Sequence, residues 1–158
     1  MTETELIEHA KAYMMLSFED EVRPFAFADT PAGLLIVAMP DSDVQTQRMI
    51  LKGKLHQEKA TLVVVCNESW ATSASTPEEV DLCMHLTAIG RLQDAPAHLL
   101  REEMQLYAEG PQRPVTCLVS VITKIDGKRT LGEWVDRPLV LPRPTFRRYF
   151  PEIGRYDA

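Results

Sequence analysis

The sequence predicts an α+β fold: a single domain built on a mixed or mainly antiparallel sheet of five to six strands, with helices packed on it and an extended C-terminal arm. Three observations carry this. Leu62, Val63, Val64, Val65 and Cys66 form an unbroken, β-branched apolar run, the pattern of a strand buried on both faces. Val115, Cys117, Val119, Val121, Thr123 and Ile125 recur every second residue and run into Asp126-Gly127, a two-residue hairpin turn. Three other stretches have apolar residues at helical spacing behind capping residues.

Thr2 to about Ser17 reads as an amphipathic helix. Thr2 and Glu5 are spaced as a capping box, and Leu6, Ala10, Tyr13 and Ser17, widened by Ile7 and Met14, make the apolar stripe. The acidic Glu19-Asp20-Glu21 that follows reads as a solvated loop. Phe25–Ala28 and Leu34–Met39 make a hairpin across the turn Thr30-Pro31-Ala32-Gly33. Asp41, Ser42 and Asp43 lead into a second helix, about Asp43 to Lys59. A D-x-D at a strand end is also a place for Mg²⁺, but helix capping is the stronger reading.

After the central run, Asn67, Glu68, Ser69 and Trp70 are expected where the strand leaves the core. Thr76 with Pro77 and Glu79 starts a third helix that Gly90 ends. Residues 99–109 read as helix to about Glu103 and as a short strand thereafter. The Asp126-Gly127 turn sets Ile125 opposite Lys128, Thr123 opposite Thr130, Val121 opposite Gly132 and Val119 opposite Trp134. Residues 1–136 are the expected body. Residues 137–158, punctuated by Pro138, Pro142, Pro144 and Pro151, are the arm.

The chain has 158 residues, 45% of them hydrophobic and 25% charged, which suits one globular domain that needs no metal or disulfide to fold. Cys66, Cys83 and Cys117 are an odd number and read as reduced thiols. No apolar stretch is long enough to span a bilayer, and the glutamate-rich start TETELIEHAKAY is unlike a signal peptide, so a cytoplasmic location is expected. The net charge of -6 argues against nucleic-acid binding by the whole surface. It divides unevenly, at +3 for residues 137–158 and -9 for the body.

Catalytic signatures are sparse. There is no nucleophile elbow, Walker loop or dinucleotide fingerprint. No cofactor is implied, and no metal, because the four histidines are scattered and Cys83 and His85 are two apart on a helix. Glu68 is the single catalytic candidate, an acid or base whose pKa burial against Trp70 would raise. The competing reading pairs it with an arginine such as Arg91 or Arg101. Asn67, Glu68 and Trp70 are the pocket candidates. In the arm, Arg143, Phe146, Arg147, Arg148, Tyr149 and Phe150 combine the side-chain types that anchor interfaces. The leading expectation is a non-catalytic binding or assembly module, homo-oligomeric or bound to another protein, with the arm docked on its own body or on a neighbouring subunit. A small hydrolase using Glu68 comes second and nucleic-acid contact through the arm third. No membrane contact is expected.

Overall fold

The computed structural model describes residues 1–111, 114–137 and 148–150. Helix α1 (Glu3–Met15) begins at the capping box: the Glu5 N–H donates to Thr2 Oγ1 and the Thr2 N–H to the Glu5 carboxylate. Its stripe of Leu6, Ile7, Ala10 and Met14 is buried. Tyr13 stays partly exposed, with its ring against Phe25 and Phe27. Strands β1 (Phe25–Thr30) and β2 (Gly33–Ala38) form the first hairpin. Asp43 caps α2 (Val44–Gln57) by accepting from the Thr46 N–H at 2.8 Å. That hydrogen bond, above all, holds the Asp43 carboxyl below the usual carboxylate range. Capping therefore accounts for this end of the D-x-D.

Strand β3 (Leu62–Thr72) is followed by α3 (Pro77–Ala88), which has the capping box of Thr76 and Glu79. A 3₁₀ turn at Leu92–Asp94 leads to β4 (Leu100–Glu109), β5 (Thr116–Ile125), β6 (Lys128–Leu131) and the two-residue β7 (Val135–Asp136). The fold is α+β, a single domain. Its sheet has seven strands in the order β2-β1-β3-β4-β5-β6, with β7 also on β5. Every pairing is antiparallel, so the mixed alternative does not apply.

Side chains alternate across this sheet and divide the core in two. Phe25, Phe27, Leu62, Val64, Cys66, Met104, Leu106 and Ile122 face α1. Ala26, Ala28, Val63 and Tyr107 face Leu51 and Leu55 of α2. Helix α3 stands apart from both clusters and buries only Cys83. Among the described residues no helix is long and apolar enough to cross a membrane.

Three expectations are corrected. Strand β3 runs on to Thr72, because β4 pairs with it from Val63↔Glu109 to Thr72↔Leu100. Asn67 to Trp70 are thus inside a ladder and not at its exit. Residues 100–109 are one strand without a helical part. Arg101, Glu102, Glu103 and Met104 favour helix on propensity, and two long neighbouring strands override that preference. Finally, Val119 pairs with Val135 and not with Trp134. Ile122 pairs with Leu131, so an unbroken ladder would put Trp134 opposite Val119; one extra residue after Gly132 bulges the strand. Trp134 instead leans on the α1 cluster, with Lys11 Nζ 5.3 Å from its ring centre.

The expected Asp126-Gly127 turn is present, with φ +51° and +77°. A β-branched side chain at Gly127 meets no neighbour but occupies the left-handed region, at a cost of about 1–2 kcal/mol. Gly127→Val should therefore lower the urea unfolding free energy by that amount, and an unchanged midpoint would contradict the turn assignment.

Candidate functional site

The long β3–β4 pairing carries three glutamates into the interior, and each holds a segment distant in sequence. Glu68 lies on the α1 side, directly opposite Met104 in β4. Its Oε1 accepts from the Val22 N–H at 3.0 Å and from Arg129 Nη2. Arg129 also donates to the Asp20 carbonyl, and its guanidinium lies 4.7 Å from the Phe18 ring centre. The pair is mostly out of water, with side chains 20% and 10% exposed. One carboxylate thus ties the α1–β1 connection to β6.

Glu103, 1% exposed, faces the other side of the sheet. Its Oε2 pairs with Arg137 and with Arg101 Nε at 3.1 Å. This ion pair raises the Arg137 pKa, principally through the Arg137–Glu103 hydrogen bond. The opposite oxygen, Oε1, and the Oγ of its cross-strand neighbour Ser69 have no hydrogen-bond partner among the described residues.

Glu109 is fully buried and the most heavily engaged of the three. Oε1 accepts from the Tyr107 hydroxyl at 2.6 Å and the Arg148 N–H at 2.6 Å. Oε2 accepts from the N–H groups of Tyr149 and Phe150, both at 2.7 Å. Three successive backbone N–H groups converging on one anion form a nest, here filled by the protein's own carboxylate. Tyr107 and Glu109 are two apart in a strand and so share a face. Above them, Arg148 lies 4.2 Å from the Tyr107 ring centre and the Tyr149 ring packs edge-on at 6.0 Å. Burial first, and the Glu109 hydrogen bond second, push the Tyr107 phenol pKa well up.

The expected pocket at Asn67, Glu68 and Trp70 is not assembled as one site. Asn67 points to the opposite face from Glu68, and Trp70, on the Glu68 face, is 45% exposed and lines a surface pocket with Leu100 and Ile122 that includes neither Asn67 nor Glu68. Glu68 does pair with an arginine, but with Arg129; Arg91 pairs with Asp94 and Arg101 with Glu103. No histidine contacts it, and the one histidine ion pair among the described residues joins exposed His98 to Glu79. Of the arm candidates, Arg148, Tyr149 and Phe150 lie on Glu109 and Tyr107. Arg143, Phe146 and Arg147 lie outside the described residues. Glu103, Glu109 and Arg129 were not singled out from the sequence. A glutamate among strong helix formers, or an arginine after a turn, has no pattern that separates an internal anchor from a solvated charge.

The chain matches no known family model, and no curated protein or solved structure is similar to it.

Two measurements check these environments. Arg129→Ala should cost about 3 kcal/mol, the scale for stranding one partner of a buried pair. A double Glu68→Ala/Arg129→Ala variant should then cost clearly less than the two single losses added. Additive losses would mean that the pair is not coupled. Burial, helped by the charge of Glu68, pushes the Cys66 thiol up to about 12. The thiol is consequently neutral at pH 7 and sealed from solvent. Cys66 should stay unlabelled by Ellman's reagent in the native protein and react once urea unfolds it; rapid native labelling would contradict its placement.

Proposed function

We propose that the chain is a non-catalytic, cytoplasmic assembly module that forms a homodimer through the open edge of β2. The observation that carries this reading is the character of that edge. Gly33-Leu34-Leu35-Ile36-Val37-Ala38 pairs with β1 on one side only, among the described residues. Edge strands are ordinarily blunted by a lysine, a proline or a bulge, and this one has none within its six residues. Leu34 and Ile36 leave their side chains 42% and 49% exposed on the face where Tyr13 and Phe27 lie. A strand without charge can meet its own copy about a two-fold axis without opposing like charges. Antiparallel pairing of β2 with β2 of a second copy satisfies the free N–H and C=O groups of both.

The occupied state of Glu68 supports a non-catalytic reading over the hydrolase. Its Oε1 is bound by a guanidinium and a backbone N–H. An acid or base needs an oxygen turned towards a substrate atom. Buried thiols, none of them in a disulfide, are in keeping with a reducing compartment.

Sedimentation equilibrium at micromolar concentration should give twice the mass of one chain. Ile36→Lys places a charge on the shared edge without disturbing a buried side chain. It should yield a monomer with an unchanged circular dichroism spectrum. A wild-type monomer under these conditions, or an Ile36→Lys dimer, would exclude this interface.

A further inference from the structure

On the opposite side of the sheet from the exposed β2 side chains, α2 and the segment at Tyr149–Phe150 line a half-open cavity of about 720 Å³. That is within the range of small-molecule sites. Its walls are apolar: Leu55 and Ala60 on the α2 side, Tyr149 and Phe150 on the other, with Met49 at the mouth. Its rim is basic. Lys52, His56 and Lys59 recur at helical spacing along the same side of α2 and its C-terminal extension. Among the described residues none of these three side chains has an ion-pair or hydrogen-bond partner, whereas neighbouring Lys54 is paired with Glu58. Positive groups gathered at one mouth stand out on a protein of net charge -6.

Two further features make the cavity a built one. The far wall is fixed, because Glu109 holds the N–H groups of Tyr149 and Phe150 at 2.7 Å. Gly53 lines the same mouth from an exposed position in mid-helix, where an added Cβ would meet nothing within 4 Å. Glycine inside a helix costs about 1 kcal/mol relative to alanine, and here the missing side chain leaves free volume.

We propose that this cavity binds a monoanionic amphiphile, a medium-chain acyl group ending in a carboxylate. The chain lies between Leu55, Tyr149 and Phe150, and the carboxylate meets the lysines at the rim. An apolar body with a single anionic end matches what the lining offers: burial for the alkyl chain and unpaired cations for its head.

Isothermal titration of the full chain with decanoate, below its micelle concentration, tests the proposal. One saturable site per chain is expected. Decanol, which has the same chain and no charge, should bind at least tenfold more weakly. Gly53→Trp fills the cavity from a solvent-facing helix position and should abolish binding while α2 stays folded. Lys52→Glu/Lys59→Glu changes only exposed residues and should weaken decanoate at least tenfold with no effect on the melting temperature. Absence of saturable decanoate binding would overturn the proposal. So would equal affinity for decanol, or undiminished binding by the lysine double variant.

Discussion

The structure depends on one long pairing, that of β3 with β4 through ten successive residues, Val63↔Glu109 to Thr72↔Leu100. It makes these strands the middle of the sheet, and it sets which residues point to α1 and which to α2. It also carries Glu68, Glu103 and Glu109 to their positions. Each of these reaches a segment far away in the chain: Glu68 reaches Val22 and Arg129, Glu103 reaches Arg137, and Glu109 reaches Arg148 to Phe150. A one-residue slip would turn every one of them to the wrong face and strand its partners. The ion pairs and the nest are therefore checks on register as much as attachments.

This arrangement bears on function by elimination and by placement. A buried carboxylate in a small domain invites a catalytic reading. Here two of the three are engaged by guanidinium groups and the third by backbone N–H groups, and each engaged oxygen holds a distant part of the chain. The surfaces proposed for other molecules lie elsewhere: the uncharged edge of β2, and the basic-rimmed cavity beside α2.

Much of the architecture was legible because local signals agreed with it. Thr2 and Thr76 cap their helices as spaced, Asp126-Gly127 turns the last hairpin, and Leu62 to Cys66 is a central strand with both faces covered. The misreadings have a common physical origin, which is pairing across the sheet. Residues 100–103 have helix-favouring side chains, and only neighbouring strands make them extended. Asn67 to Trp70 read as the strand's exit from the core because these residues follow an apolar run, yet in an antiparallel sheet one side of a strand can face water. The bulge before Val135 leaves no trace in a period-two pattern that ends at the turn. The same holds at the level of sites. Glu68 was visible because it adjoins the central run, but its partner Arg129 is 61 residues away. Glu109 is 39 to 41 residues from the N–H groups it binds.

The central claim is that internal glutamates, Glu109 above all, anchor distant chain segments. Amide hydrogen exchange at Arg148, Tyr149 and Phe150 tests it most directly, in the wild-type protein and in Glu109→Gln. A glutamine side chain turns an N–H₂ donor towards backbone N–H groups, which can only donate, so it cannot replace both carboxylate oxygens. The account predicts slow exchange at these three amides in the wild type. In the variant that protection should be lost, while the amides of β3 and β4 remain protected. Fast exchange at all three in the wild type, or protection undiminished in Glu109→Gln, would contradict it.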